Sequence, residues 1–469
     1  MLKPIPNDLI PKIDTLADIR KKQILNSETN VVFSGTAYYV AATGCDCNDG
    51  LTPDTPWLTL NKVHSFSFQP GDAVFFRRGD TFRGRFSARD GVTYSAYGNG
   101  PKPVICPSPF NGAEHGEWIP TDVPDVYRYS EKFLDDVGCL IFDGGESYAN
   151  KATVDFSTMT NLTDCKPFAS WRDLANDLDF YHDLGGPNVT GTEENSTLYL
   201  KSTEGNPSER FKSIEFNVHT NAIMMEGHNI RINNLCVRHA GNHGIGSLTI
   251  HGLTVDWCVF EWIGGSMQYY EDGHPVRFGN AVEIYGGCSD YIVENCYINQ
   301  VYDAGITHQF SAGSTEDIIM KDIIYKGNLV ENCIYSIEYF NGIADNDACR
   351  HMSHVRISDN ILRYAGCGFG KQRPDHFVEC HIKAWDHYNH ADNMIYENNI
   401  FDRSTYCLLH ISCYDEIDYM PIIRKNIFIQ SADGLFAQLG LTPTKVTPYT
   451  DEVIENETAV DKDNVFYVI

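Results

Sequence analysis

One short phrase recurs through the second half of this chain, and it constrains the fold more than any other feature. Between about residues 221 and 440 an apolar–polar alternation closes on Asn or Cys, turns, and runs into a second short strand-like segment. Six near-copies occupy residues 229–237, 253–260, 291–298, 355–362, 394–401 and 422–428. A repeat of this kind decides architecture before local propensity does, because each unit must bury its apolar face against the next. The copies are separated by insertions of varying length, and a coil takes a little over twenty residues. A leucine-rich repeat would demand regular leucines and a constant period, so the expected fold is all-β, a right-handed parallel β-helix whose loops leave one face. Asn at an equivalent place in successive coils has a physical use there. Its amide bonds backbone groups at the corner and the Asn of the following coil, which satisfies polar groups that a buried bend would orphan.

The remaining chain divides around that solenoid. Residues 1–32 contain a segment, 15–25, whose apolar Leu16, Ile19, Ile24 and Leu25 recur at helical spacing behind Asp14 and Thr15. It is expected to form a short helix that caps one end of the solenoid. The β-helix is expected over 33–440, with a β and loop insertion at about 107–218 that walls one side of a groove. Residues 441–469, with Pro443 and Pro448, would close the other end, since a bare coil edge invites pairing with another chain.

Composition narrows the partners. A formal charge of −27 opposes a surface that grips nucleic acid or anionic lipid through clustered Lys and Arg. The apolar runs fall far short of the roughly 20 residues of a membrane-spanning helix. The start carries Pro4, Pro6, Asp8 and Pro11 where a secretory leader would be continuously apolar, so the expectation is a cytoplasmic protein, or a secreted one whose leader was removed. Fifteen cysteines, many within apolar runs (Cys236, Cys258, Cys296, Cys333, Cys380, Cys407), read as reduced core thiols. Cys45 and Cys47 lack a second pair for zinc, and the histidine pairs His351/His354 and His387/His390 lack a supporting third ligand. No metal or cofactor is expected for a hydrolase.

A run that begins Tyr38, Tyr39, Val40 and reaches Asp54, Thr55, Pro56 and Trp57, followed by Pro70, Gly71, Asp72 and the apolar stretch to Phe82, resembles the opening of pectate-lyase-like right-handed parallel β-helix proteins. With the Asn-rich coils the resemblance covers roughly 400 residues. It implies glycoside hydrolases, polysaccharide lyases or epimerases acting on an oligosaccharide or polysaccharide, without selecting one activity.

The strands after each Asn turn can be aligned, because equivalent positions in stacked coils lie about 4.8 Å apart. The inward column reads Val282, Ile306, Ile337, Phe369, Ile382, Leu409 and Phe436; the outward one reads Glu283, Thr307, Glu338, Gly370, Lys383, His410 and Ala437. Glu283 and Glu338 would stand about 9.6 Å apart across Thr307, which suits the wide carboxylate spacing of an inverting glycosidase. Asp303, just before the Thr307 strand, offers a third carboxylate and, with Glu338, a second acid–base pair. His308, Lys383 and His410 would orient sugar hydroxyls. Arg373 and the aromatics Tyr339 and Trp385, with Trp262, Tyr269, Tyr302 and Phe340 nearby, would complete substrate binding. A lyase is the first alternative, with Lys383, Arg373 and His381 acting on a uronate beside calcium at Asp345 and Asp347. A non-catalytic glycan-binding solenoid is the second.

Overall fold

A computed structural model describes residues 3–310, 315, 317–341, 349–374, 378–384, 391–412, 421–440, 447–448 and 463–469. The Asn turns make corners because the residue before each one takes the left-handed conformation: φ is +55° at Trp257, +51° at Asn295, +58° at Asp359, +56° at Asn398 and +56° at Lys425. A second left-handed corner follows five residues later, at Trp262, Gln300, Tyr364 and Arg403. Between corners the chain is extended, so each coil has flat sides that stack as parallel ladders. One side is a ten-stranded sheet running from Ala37–Val40 through Ile250–Asp256 and Arg350–Ser358 to Ile422–Arg424. The other two sides merge into a nineteen-stranded sheet, because Tyr297–Phe310 and Leu329–Asn341 run on across the corner between them. The chain is a parallel β-helix.

Alternation fills the interior with apolar columns. Phe260, Ile298, Val330, Leu362, Phe401, Phe428 and Phe466 are successive Cα partners. The last three rings stack with centroids 4.8 Å apart, the spacing of the strands that carry them. The predicted amide use is present at the corners. Asn328, Asn360, Asn399 and Asn426 each accept into Oδ1 from the preceding rung and each donate from Nδ2 to the Asn of the next coil. Earlier coils hold Cys258 and Cys296 at this place, whose thiols reach Ile232 O and Val255 O.

Two expectations need correction. The helix forms, over Leu9–Leu25, but it lies along the side of the solenoid and covers no end. Its buried Ala17 and Ile24 pack on Cys236, Val259, Tyr297, Leu329 and Ile361, which are stacked positions of successive coils. Arg20 donates to Gly327 O and Asp359 O, and Arg363 pairs with Asp14. Of the apolar positions read from sequence only Ile24 is buried, whereas Leu16, Ile19 and Leu25 are exposed; the buried face is Ile13, Ala17 and Ile24, because small Ala17 lets the helix approach the column of outward apolar residues. Ahead of the helix, Lys3–Pro4 adds a parallel strand to Val465–Val468, so the N-terminal segment closes the last coil. Pro443 lies outside the described residues, while Thr447–Pro448 pairs with Leu435–Gly440. The first coil is packed by the short helix Leu60–Ser65 with Trp57, Phe66 and Phe68. The second correction concerns cysteine: Cys45 and Cys47 are joined as a disulfide. Cys236, Cys258, Cys296, Cys333, Cys380 and Cys407 are free and buried.

Between Val104–Cys106 and Ile214–Val218 the chain leaves the coils and builds small antiparallel sheets with their own core of Trp118, Tyr129, Phe133, Leu198 and Phe216. The buried Asp136 carboxylate, held by Lys151, accepts from Met267 N, and Lys151 N donates to Gln372. This part is thereby tied to the hairpin Met267–Glu271/His274–Arg277 and to the turn Phe369–Gln372. No described helix is long and apolar enough to cross a membrane.

Candidate active site

The register of one ladder sets the site. Val282 pairs with Ile306, Ile306 with Ile337, Ile337 with Ile382 and Ile382 with Leu409, all turned into the core. One residue further along each strand, Thr307 pairs with Glu338, Glu338 with Lys383 and Lys383 with His410. Glu283 joins this second column directly, because Thr307 Oγ1 donates to its Oε2 over 2.5 Å. The column departs from the sequence alignment at two places. Gly370 and Phe369 sit on a 3-10 turn, since Gly368 takes φ +82° and breaks the strand; Phe369 packs between Trp262 and Tyr302. At the far end Ala437 pairs with Leu409 and Gln438 with His410, so Gln438 holds the outward place assigned to Ala437 and Ala437 the inward place assigned to Phe436.

A cleft of about 550 Å³ opens over this face, and Glu283, Asp303, Glu338 and Arg373 all line it. None is a solvated surface group: Glu283 and Glu338 are 7% exposed and Asp303 4%. Asp303 forms an ion pair with Arg373, and Glu338 one with Lys383 at 2.9 Å, with Gln309 Nε2 donating to its other oxygen at 3.0 Å. Among the described residues Glu283 has no cation paired with it. Burial is the largest influence on it. Bonds from Thr307 and Asn280 oppose that, the charges of Glu338 and Asp303 add to it, and its pKa is pushed up to about 8. Three carboxyl groups therefore share one cleft in two settings, one biased by burial toward its protonated form and two held beside cations, the kind of contrast that separates an acid from a base.

The Lys383 ammonium is held well above its ordinary range: burial opposes its charge, and the Glu338 carboxylate together with Tyr335 and Asp303 more than offsets that. Removing this cation tests the reading of Glu338. In Lys383→Met the buried Glu338 keeps its carboxylate neighbours and loses its counter-charge, which disfavours its charged form. The acidic limb of any pH–rate profile that depends on Glu338 is expected to move up by about one to three pH units. An unmoved limb would separate Lys383 from the chemistry.

Some predicted binding residues are elsewhere. His308 and Tyr339 face the core, because alternation puts them on the other side of Thr307 and Glu338. His308 bonds Tyr325 and stacks on Tyr339, whose hydroxyl meets that of Tyr396. His410 keeps its place beside Lys383 but is 2% exposed, and burial, with the Lys383 charge, lowers its pKa to about 4. Trp385, Asp345, Asp347, His387 and His390 lie outside the described residues. Trp262 and Tyr302 are buried in packing, whereas Tyr269 and Phe340 line the cleft.

Several cleft residues were not found from sequence. Gln309 follows Thr307 by two and so shares its face, a signal that alternation carried. Asn280 and His243 come from loops, where no periodicity points. The His243 ring is pushed down to about 3 by burial, and its Nδ1 accepts from Asn280 N at 3.1 Å, so the neutral ring carries its proton on Nε2. Leu248, Tyr269, Tyr285 and Phe340 add exposed or half-buried apolar surface suited to the C–H faces of sugars. Among the described residues no group of three or more His, Cys, Asp or Glu is placed to hold a metal ion.

No protein-family model matches the chain. A stretch of 98 residues is 36% identical to a lacto-N-biosidase of Bifidobacterium longum subsp. longum, taking in 18% of this chain and 6% of the relative, so the chain spans only a small part of that relative's length. Among solved structures the chain is similar to a GH136 lacto-N-biosidase from Eubacterium ramulus, with a TM-score of 0.44, 14% identity, and coverage of 97% of this chain and 70% of that one. It is also similar to an alginate lyase from a Paenibacillus species, with a TM-score of 0.41, 11% identity, and coverage of 92% and 98%.

Proposed function

We propose that this chain is a glycoside hydrolase that cleaves an uncharged oligosaccharide or polysaccharide by inversion, with Glu283 as general acid and Glu338 as general base. The observation that carries this reading is the buried Glu283, its pKa pushed up to about 8, beside two ion-paired carboxylates in one sugar-sized cleft. Glu283 would protonate the departing glycosidic oxygen. Glu338, two strands along the ladder and so about 9.6 Å away at the backbone, would take a proton from the attacking water. Asp303, fixed by Arg373, would stabilise positive charge developing on the sugar ring. The likeness of 98 residues to a lacto-N-biosidase agrees with hydrolysis. The opening run supports placing the chain among pectate-lyase-like β-helices.

The lyase alternative needs a free base and a cation for the substrate carboxylate. Lys383 and Arg373 are each paired with an acid, and His381, bonded to Ser336, is buried and pushed down to about 4 by burial. These pairings favour an uncharged glycan over a uronate. Incubation with a panel of neutral oligosaccharides, aryl glycosides and polyuronates, followed by product NMR, decides the matter. New reducing ends of inverted anomeric configuration are expected, from the parent and not from Glu338→Gln. An unsaturated uronate product would replace hydrolysis by elimination, and binding without turnover would leave a glycan-binding solenoid.

A further inference from the structure

The hydrogen bonds around Glu283 specify more than its protonation. Two donors converge on one of its oxygens. Asn280 Nδ2 reaches Oε2 at 2.6 Å, and Thr307 Oγ1 reaches the same atom at 2.5 Å. The Asn280 donor cannot reverse. The Asn280 amide is oriented by Ala304 N, which donates to its Oδ1 at 2.7 Å, so the NH₂ end must face Glu283. The Thr307 oxygen accepts from Ile284 N at 3.1 Å, and its single hydrogen has Oε2 within reach at 2.5 Å. In a neutral carboxyl group the oxygen that accepts two such bonds is the carbonyl one, which leaves the proton to the other.

We propose that Asn280 and Thr307 are positioning residues that hold the acidic proton of Glu283 on Oε1, so that a single oxygen delivers it to the glycosidic bond. This rests on the reading of Glu283 as the general acid. The step balances simply: the proton leaves Oε1 for the leaving-group oxygen as the C–O bond breaks, and the carboxylate formed keeps both donors on Oε2. Asn280 also joins the acid to the cleft wall, since its backbone N–H fixes His243 as an Nε2–H donor. The charged and titratable groups facing Glu283 are Asp303 and Glu338 from the two following strands, Arg373 and Lys383 as their partners, and the neutral His243.

The sign of a pH shift tests the placement. Both donors favour the charged carboxylate, so removing either is expected to raise the basic limb of kcat/KM by about one pH unit. Asn280→Ala and the near-isosteric Thr307→Val are compared with Thr307→Ser, which restores the hydroxyl and is expected to restore the limb. On a glycoside with a poor leaving group the first two lose at least tenfold in kcat, while an activated aryl glycoside, which needs little acid assistance, is spared. A role confined to packing would lower both substrates alike and leave the limb in place. A downward limb in Thr307→Val would put the proton on Oε2, donated to Thr307, and overturn the proposal. If Glu283→Gln leaves turnover of the poor-leaving-group substrate intact, the acid assignment itself falls. If that variant is dead while Asn280→Ala and Thr307→Val leave the limb unmoved, only the proton placement falls.

Discussion

Glu283→Gln is expected to lose about 10²–10⁴ in kcat on a glycoside with a poor leaving group and to keep most of its activity on one that departs without protonation. The amide fills the same volume and can still meet Asn280 and Thr307 through its carbonyl oxygen, so the loss reports the missing proton and not a collapsed cleft. The basic limb of the parent, set near pH 8 by Glu283, is expected to vanish with it. Stability should move the other way. A carboxyl whose ordinary value is 4.5 holds its proton in the folded chain up to about pH 8. Between these values the folded state binds a proton that the unfolded state has released, so stability falls as pH rises through that window and stays low above it. Each tenfold separation in acidity costs about 1.4 kcal/mol, and Gln carries no such penalty. Urea unfolding should therefore show the variant gaining on the parent from pH 5 to pH 9. A variant that follows the parent in both rate and alkaline stability would leave Glu283 an ordinary buried side chain.

What the sequence disclosed follows the periodicity of the chain. Val282, Ile306, Ile337, Ile382 and Leu409 stack as alternation required, and the neighbouring column brings Glu283, Thr307 and Glu338 together because a strand has no freedom in which face it presents. Alternation also placed His308 and Tyr339 inside, where polar chemistry had suggested the cleft; the Tyr325 hydroxyl and the stacked Tyr339 ring give that buried imidazole its partners. Gly370 and Ala437 left the column for other reasons. Gly368 breaks the strand before Gly370, whereas Ala437 is off by one because the insertions between coils vary in length, so spacing says which strands stack and leaves the rung within a strand open by a residue. Loops were mostly opaque. Arg373 was named from sequence, whereas Asn280 and His243 reach the cleft from connections whose path no periodicity announces. The helix was legible as a helix but not by its buried face, since Leu16, Ile19 and Leu25 are exposed while Ile13, Ala17 and Ile24 are buried, and only the outward column of Val259, Tyr297 and Leu329 explains why it lies along the coils.

The largest expected effect on the fold lies at an Asn corner. Asn360 is 1% exposed, and its side chain makes four hydrogen bonds: Oδ1 accepts from the backbone N and the Nδ2 of Asn328, and Nδ2 donates to Tyr325 O and to Asn399 Oδ1. Asn360→Ala leaves those partners in a corner with no replacement from the chain. At about 1–3 kcal/mol for each buried group left without a bond, the substitution is expected to cost about 4 kcal/mol or more, well beyond an ordinary point mutation. The loss sits in the middle of a stack whose coils touch only their neighbours, so it weakens both halves of the ladder at once. Asn360→Cys should cost distinctly less. Cys258 and Cys296 occupy the same place in earlier coils, and their thiols reach the carbonyl of the coil before. A thiol at 360 would keep the bond to Tyr325 O and give up the rest. Urea unfolding midpoints in the order parent, Asn360→Cys, Asn360→Ala are the expected result, with turnover preserved at low temperature in any variant that folds, because the cleft belongs to another side of the coil. Equal midpoints for the Ala variant and the parent would mean that the ladder adds nothing to stability and that the apolar columns alone hold the coils together.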